Sequence, residues 1–227
     1  MNSPNLVIAL TKGRILEEAL PLFEAAGVSP LEDIRQSRKL IFATSMPNVQ
    51  LMVIRGSDVP TYVEFGSADI GVVGKDLLLE YGSEGFYEPL DLKLARCRLM
   101  TAGPMEKNAE QGRALTDRNP RLRVATKFVN ITRRHFAEQG RQIELIKLNG
   151  ALELAPSMGL ADIIVDIVDS GNTLRANGLE PIDQIAEITS RVIVNKAAMK
   201  IKNSAIRDIL GKLRRAVEAN EARGERP

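Results

Sequence analysis

The sequence predicts an α/β protein with two lobes around a cleft, and two observations lead to this fold class. Short apolar runs alternate with helix-like patterns along the 227 residues, which is typical of α/β folds with largely parallel sheets. In addition, the succession strand, glycine, short helix, Gly-x-Ala-Asp-Ile, strand occurs twice, with its final isoleucines at Ile70 and Ile163. Two stretches of similar construction indicate two lobes, and clefts between lobes commonly bind ligands.

The first series of elements starts with a buried strand, followed by a helix whose apolar residues keep helical spacing until Gly27. Pro47 and Asn48 separate the next two apolar runs and so predict a pair of strands. Asp58 and Pro60 favour the first turn of a short helix. The predicted strands are Leu6–Leu10, Lys39–Ala43, Gln50–Ile54 and Ile70–Val73, and the helices are Ile15–Ala26, Ser57–Phe65 and Lys75–Tyr81.

The second series begins near Leu94 and follows the same alternation. The polar stretch Glu106–Pro120 is expected to be loop or frayed helix. The predicted strands are Ala95–Ala102, Leu122–Thr126, Glu144–Leu148, Ile163–Val168 and Ile188–Val194, and the helices are Val129–Gln139, Glu153–Met158, Asn172–Asn177 and a last one from Asn203. The last helix has an apolar stripe. We favour the interpretation that this stripe packs on its own lobe, and the alternative is that it binds another subunit.

The two lobes are expected to be discontinuous along the chain. No linker rich in Pro, Gly or Ser separates the two series, so we expect strands to cross a hinge. We assign residues 1–92 and 184–227, with the last helix, to lobe I, and residues 93–183 to lobe II.

Composition excludes several classes of function. Lys and Arg number 31 against 29 Asp and Glu, and this net charge of +2 argues against a general electrostatic binder of nucleic acids. One cysteine, Cys97, and one histidine, His135, allow neither an intrachain disulfide nor a Cys/His zinc site. No run is long and apolar enough for a signal peptide or a membrane span. We therefore expect a cytoplasmic protein that binds no nucleic acid and no membrane.

The strongest motif is the apolar strand before Asp169-Ser170-Gly171-Asn172-Thr173, a segment that we name the phosphate turn. A turn that opens a helix can direct backbone N–H groups and hydroxyls at one point, and the helix N-terminus adds positive potential. Gly171 permits a positive φ and a close approach. We favour a phosphate monoester site over a simple helix cap, because a cap needs only one such residue. Carboxylates at Asp166 and Asp169 can accept hydrogen bonds from sugar hydroxyls or help hold hydrated Mg²⁺.

Basic residues flank the first three predicted strands. Thr11-Lys12-Gly13-Arg14 connects the first strand to its helix, so it lies at the ligand-facing edge of an open α/β sheet. Arg38 and Lys39 precede the second strand, and Arg55 ends the third. These cations indicate a polyphosphate site. Solvated surface charge is an equal alternative for Arg38 and Lys39 alone, and a weaker one for the Lys12–Arg14 turn.

Taken together, these residues resemble the ATP phosphoribosyltransferase family. The resemblance covers most of Leu6 to Asn195, and the run from Leu160 to Leu179 is close to a family signature. It is carried by Thr11-Lys12-Gly13-Arg14, Arg55 with Asp58-Val59-Pro60, Ala68–Gly74, Leu148–Pro156 and Asp166–Glu180.

The resemblance implies a fold and a reaction. The family resembles type II periplasmic binding proteins in fold, and with Mg²⁺ it converts ATP and 5-phosphoribosyl 1-diphosphate (PRPP) to N1-(5-phosphoribosyl)-ATP and pyrophosphate. This is the first step of histidine biosynthesis. Because the sequence ends soon after the last predicted strand, it resembles the short form, without the C-terminal regulatory domain of the long form. Short-form members work with a regulatory subunit similar to histidyl-tRNA synthetase, which implies a homodimer within a hetero-oligomer.

The resemblance also implies roles for the candidate residues. Adenine N1 carries a lone pair and no proton, so alignment and charge stabilisation replace a strong base. Mg²⁺ bridges substrate oxygens, with no protein ligand assigned. Arg14 and Arg38 act as catalytic residues at the leaving pyrophosphate, and Lys12, Lys39 and Arg55 support the ATP polyphosphate. The implied PRPP-binding residues are Glu153, Asp166, Asp169, Ser170, Gly171, Asn172 and Thr173.

Two alternatives stay open. The first is a solute-binding protein of the same two-lobed architecture without catalysis, against which the missing signal peptide counts. The second is a purine or pyrimidine phosphoribosyltransferase built on a single sheet. The basic Lys12–Arg14 turn in a second lobe argues against that alternative.

Overall fold

The computed structural model describes residues 5–105 and 121–223. The predicted loop at 106–120 lies outside the described residues. Most predicted elements are confirmed within one to three residues at each end. In chain order the elements are β1 (Leu6–Thr11), α1 (Arg14–Ala25), β2 (Ile41–Ala43), β3 (Val49–Ile54), α2 (Val59–Glu64), β4 (Ile70–Gly74), α3 (Lys75–Tyr81), β5 (Phe86–Asp91), β6 (Cys97–Pro104), β7 (Leu122–Thr126), α4 (Val129–Glu138), β8 (Ile143–Lys147), α5 (Leu154–Ser157), β9 (Ile163–Val168), α6 (Asn172–Ala176), β10 (Leu179–Ile188), β11 (Ser190–Asn195), α7 (Lys196–Ile201) and α8 (Asn203–Ala222).

Two compact units make up the chain. Unit I comprises Met1–Ala95 and Thr189–Pro227, and unit II comprises Arg96–Ile188. Unit I contains a six-stranded sheet in the order β2-β3-β1-β4-β11-β5, and unit II a five-stranded sheet in the order β10-β6-β9-β7-β8. Each unit therefore has its own sheet and its own hydrophobic core.

The core of unit I lies between its sheet and the helices α1 and α8. Strand β1 is buried along almost its whole length, as expected for a central strand covered on both faces. The apolar stripe of α8 is buried in this core, which confirms that the helix packs on its own unit. The stripe consists of Ile206, Ile209, Leu210, Leu213 and Val217.

The expectation of largely parallel sheets is wrong, because both sheets are mixed. Parallel pairing is confined to β3-β1-β4 in unit I and to β9-β7-β8 in unit II. Strand β6 pairs antiparallel with β9 and β10, and β11 pairs antiparallel with β4 and β5. Parallel neighbours need a long crossover, usually helical, and the parallel strands belong to the two stretches in which strands and helices alternate. The strands that adjoin the passages between the units at 95–96 and 188–189, namely β5, β6, β10 and β11, all pair antiparallel.

Strands β5 and β10 were not predicted. Both are edge strands, both contain proline, and most of their side chains are exposed or half-buried. Proline and exposure weaken the apolar alternation from which a strand is recognised, and natural edge strands commonly have both features.

The repeated Gly-x-Ala-Asp-Ile pattern has the same local structure in both units. Asp69 Oδ2 accepts a hydrogen bond from the Val7 N–H at 2.9 Å, and Asp162 Oδ2 accepts one from the Arg123 N–H at 2.8 Å. In each case the aspartate lies just before its own strand and binds a parallel neighbour, β1 in the case of β4 and β7 in the case of β9. Each aspartate also pairs with a cation, Lys202 for Asp69 and the Arg123 guanidinium for Asp162, both at 2.8 Å.

Candidate active site

The phosphate turn leaves the end of β9 and opens α6. Gly171 has φ 74° and ψ 7°, the left-handed conformation that a residue with a side chain adopts only at a cost. Ser170, Asn172 and Thr173 are exposed around it. Helix α6 has only five residues, so its dipole adds less positive potential than the sequence analysis assumed.

Positive charge at the turn comes instead from Arg175, which was not among the predicted site residues. Its Nη2 donates to the Ser170 carbonyl at 3.1 Å and to Asn172 Oδ1 at 2.6 Å. A Cβ atom on Gly171 would lie 3.2 Å from Arg175 Nη1. The guanidinium therefore folds back over the turn, where it can complement an anion. In the sequence, the only indication of this contact was that Arg175 follows Gly171 by four residues, about one helical turn.

Asp166 lies in β9, a few residues before the phosphate turn, and its side chain is half-buried. Burial raises the pKa of Asp166, against the opposing effect of the nearby Lys127 ammonium, and Glu153 raises it further. Lys127 Nζ is 3.6 Å from Asp166 Oδ1, too far for a hydrogen bond. Asp166 Oδ1 is buried and makes no hydrogen bond with any described residue. Such an oxygen is suited to a hydroxyl or a hydrated cation.

Lys127 was also not predicted as a site residue. It follows Thr126, which pairs with Val165 between the parallel strands β7 and β9. This register places Lys127 beside Asp166 at the carboxyl edge of the sheet. The rule that carboxyl ends of parallel strands share one edge would have identified it, had the order of the strands been known.

In unit I the predicted cations lie at the end of the sheet where the parallel strands β1 and β3 have their carboxyl ends. Thr11 pairs with Ile54 between the parallel strands β1 and β3, and the Lys12 N–H donates to the Ile54 carbonyl at 2.8 Å. Lys12 and Arg55 therefore follow adjacent strand ends. A Cβ atom on Gly56 would lie 2.9 Å from Thr11 Cγ2, so the chain after Arg55 packs directly against the end of β1.

Strand β2 brings two more cations to the same edge. It runs antiparallel to β3, and the Val53 N–H donates to the Leu40 carbonyl at 2.8 Å. Arg38 and Lys39, just before Leu40, thus lie near the end of β3 that carries Arg55. All five predicted cations of unit I are exposed. Lys39 Nζ contacts the Glu32 carboxylate at 2.8 Å, so its charge is partly neutralised.

Arg14 begins α1 directly after Gly13, whose φ is 98°. Arg14 Nε donates to Glu18 Oε1 at 2.6 Å, one helical turn further along. Glu18 was not among the predicted site residues.

The described parts of the chain show neither a metal-binding cluster of side chains nor a membrane-spanning helix. Residues 5–105 and 121–223 contain no group of three or more His, Cys, Asp or Glu side chains arranged for a metal ion. Within the same ranges, no helix has both the length and the apolar character needed to cross a membrane.

Comparison with known proteins gives a consistent result. The family model described as "HisG: ATP phosphoribosyltransferase" matches residues 55–215. ATP phosphoribosyltransferase of Saccharophagus degradans is 60% identical over 217 residues, covering 96% of this chain and 98% of the relative. The enzyme of the same name from Pseudomonas aeruginosa is 58% identical over 214 residues, covering 94% and 98%.

Solved structures agree on the fold. The ATP phosphoribosyl transferase (HisG:HisZ) complex from Thermotoga maritima contains a chain with a TM-score of 0.78 and 33% identity, covering 94% of this chain and 99% of that one. The periplasmic aliphatic sulphonate binding protein SsuA from Escherichia coli has a TM-score of 0.58 and 14% identity, covering 99% and 76%. The second similarity concerns the fold alone, and it matches the expected likeness to periplasmic binding proteins.

Proposed function

Because the chain belongs to the ATP phosphoribosyltransferase family, we propose that the end of β9 and the phosphate turn hold the phosphoribosyl group of its substrate PRPP. The enzyme transfers the 5-phosphoribosyl group of PRPP to N1 of ATP, which gives N1-(5-phosphoribosyl)-ATP and pyrophosphate. This reaction is the first step of L-histidine biosynthesis. Two separate sheets also exclude the alternative of a single-sheet phosphoribosyltransferase.

One observation carries the assignment of the phosphate site: Gly171 in a left-handed conformation, with exposed polar residues on either side and Arg175 over it. The 5′-phosphate is a dianion with three acceptor oxygens. Backbone N–H groups of the turn and the hydroxyls of Ser170 and Thr173 donate to it, and Arg175 balances its charge. A side chain at position 171 would displace the guanidinium from this place.

We assign the binding of the ribose hydroxyls to the carboxylates next to the turn. Asp166 Oδ1, buried without a hydrogen bond, accepts from one hydroxyl, and Asp169 and Glu153 serve as further acceptors. The Lys127 ammonium opposes the effect of burial and so favours the ionised form of Asp166, the form that accepts hydrogen bonds.

Mg²⁺ fits this donor set as a substrate-borne ion. Hard oxygen donors suit it, and Asp166 Oδ1 is an oxygen with open lone pairs, while the pyrophosphate group brings its own oxygens. When bound, the ion supplies positive charge that balances the pyrophosphate.

Transfer to N1 of ATP requires neither a covalent nucleophile nor a strong base, since N1 carries a lone pair and no proton. The residues of the chain contribute alignment and charge. Arg14 and Arg38 stabilise the negative charge that grows on the departing pyrophosphate, and Lys12, Lys39 and Arg55 hold polyphosphate at the same edge of the sheet of unit I.

The relative from Thermotoga maritima was solved as a HisG:HisZ complex, and we extend this type of assembly to the present chain. Its partner is a regulatory subunit similar to histidyl-tRNA synthetase, as the family resemblance implies. The chain forms a homodimer within that hetero-oligomer. The enzyme works in the cytoplasm, where ATP and PRPP are available.

The proposal is tested at Thr173 by comparing two substitutions. Thr173→Ala removes a hydroxyl donor to a dianion, and such a charge-assisted bond contributes about 1.5–3 kcal/mol, so PRPP affinity should fall by about 10- to 100-fold. Thr173→Ser keeps the hydroxyl and should retain most of the affinity. Calorimetric titrations with PRPP and with ATP measure both effects. Equal PRPP affinity in the alanine and serine variants would contradict the proposed phosphate site.

A further inference from the structure

A carboxylate next to the proposed catalytic arginine has two partners, and its geometry assigns it a role in the reaction. We propose that Glu18 is a positioning residue, which holds the Arg14 guanidinium in its working orientation by anchoring it to the backbone at Ala95. This inference rests on the proposed role of Arg14 at the leaving pyrophosphate. It adds a residue that is assigned no contact with the substrate and acts only through Arg14.

Both oxygens of the Glu18 carboxylate are used. Oε1 accepts from Arg14 Nε at 2.6 Å, and Oε2 accepts from the Ala95 N–H at 2.6 Å. Both distances are short, as is usual when the acceptor is ionised. A carboxylate held at two points restricts where the guanidinium can lie, because the Nε–H bond has to keep pointing at Oε1. Arginine has five N–H donors, so the bond at Nε does not use up its capacity for an anion.

The backbone at Ala95 is a firm anchor. Ala95 has φ 49° and Lys93 has φ 59°, left-handed conformations that residues other than glycine adopt only where the surroundings enforce them. The flanking Leu92 and Leu94 are buried in the core of unit I. The Leu92 N–H donates to the Ser190 carbonyl at 2.9 Å, and the Ser190 N–H donates to the Leu94 carbonyl at 3.0 Å. The chain directly before the Ala95 N–H is therefore held in place by buried side chains and backbone hydrogen bonds.

The neighbouring Glu17 shows what an ordinary surface pair on the same helix looks like. Glu17 Oε2 accepts from Arg35 Nε, also at 2.6 Å, yet both side chains are more than half exposed. The Glu18 side chain is only 17% exposed. Long exposed side chains lose little by separating, whereas a carboxylate that is mostly buried and bound to a fixed N–H keeps its place.

The arrangement has a chemical cost that argues for a positioning role. A carboxylate beside Arg14 reduces the attraction of this cation for a phosphate, so charge alone would favour its absence. What Glu18 supplies in return is orientation, and orientation matters most in the transition state, where small displacements of a catalytic group are expensive. Loss of Glu18 should therefore lower turnover while substrate binding changes little.

The test compares Glu18→Ala with Glu17→Ala, a matched control on the same helix. The full-length chain is assayed with ATP, PRPP and Mg²⁺ under single-turnover and steady-state conditions. Glu18→Ala should lower the single-turnover rate by about tenfold with KM values changed by less than about threefold, and Glu17→Ala should behave as wild type. Glu18→Gln should fall between, because one amide oxygen can satisfy only one of the two N–H groups.

A double-mutant cycle separates positioning from a merely structural effect. In the Arg14→Ala background, Glu18→Ala should change the rate by less than about twofold, since no guanidinium remains to be oriented. Independent, multiplying effects would overturn the inference, as would a wild-type rate in Glu18→Ala when Arg14→Ala alone is slow. A wild-type rate in Arg14→Ala would instead overturn the proposed role of Arg14, and this inference with it.

Discussion

Replacing Gly171 by alanine should weaken PRPP binding through a conformational cost that can be worked out from the structure. At φ 74° a residue with a Cβ atom pays roughly 1–2 kcal/mol. The new Cβ would also lie 3.2 Å from Arg175 Nη1, so the guanidinium must move by a few tenths of an ångström away from the turn. If the free protein escapes the strain by rearranging the turn, PRPP binding must restore it, and affinity falls by about 5- to 30-fold.

The matched control is Gly178→Ala. Gly178 has φ 72°, lies just after the same short helix, and has nothing within 4 Å of a built Cβ. It carries the same backbone strain outside the phosphate turn. Gly178→Ala should lower the melting temperature by about 2–8 °C, since 1 kcal/mol corresponds to about 2–4 °C in a chain of this size. Gly171→Ala should lower it by no more than that, because a turn that rearranges in the free protein avoids part of the strain until PRPP binds. Calorimetry with PRPP and with ATP should show a loss of affinity only for PRPP and only in Gly171→Ala. Equal PRPP affinities in the two variants would refute the assignment of the turn.

Three further predictions concern Asp166, the arginines and regulation. Burial raises the pKa of Asp166, so the folded state binds a proton more tightly than the unfolded state, and the ionised carboxylate costs stability at neutral pH that is regained as the pH falls. Asp166→Asn should therefore raise the melting temperature at pH 7 while lowering PRPP affinity; a lower melting temperature would contradict this. Arg14→Ala or Arg38→Ala should each lower the single-turnover rate on the order of 10²-fold, and rates within about twofold of wild type in both would refute their role. Histidine should not bind the chain alone but should inhibit it once the regulatory subunit is present, and saturable calorimetric binding to the isolated chain would show the opposite.

Features encoded in contiguous residues could be predicted from the sequence, and features that depend on strand order could not. The strand β9 and the turn after it form one local segment. The apolar run, Gly171 and the polar residues beside it were therefore sufficient to predict the strand, the turn and the start of the helix. The partnership of Lys127 with Asp166 depends on β7 lying beside β9 in a particular register, about which neither segment alone carries information. The bond between Glu18 and the Ala95 N–H joins residues 77 positions apart.

Charge patterns show the same division. The place of the Lys12–Arg14 turn could be predicted from the sequence, since a basic turn after a strand has a known place in an α/β sheet. The carboxylate partners of the cations, such as Glu32 beside Lys39, could not be predicted, because the path of the intervening loop decides which side chains pair.

The discontinuity of unit I has a consequence for synthesis on the ribosome. Residues 96–188 form a unit whose strands, helices and Asp162–Arg123 ion pair all lie within one continuous stretch, so it can close as soon as that stretch has emerged. Unit I cannot, because β11 lies between β4 and β5 in its sheet, and both β11 and Lys202, the cation for Asp69, are translated after the whole of unit II. The apolar strands β1, β3 and β4 are therefore synthesised before unit II. Their sheet remains incomplete while unit II is translated. In that interval the apolar faces of these strands are uncovered, which is the condition under which partly made chains tend to aggregate.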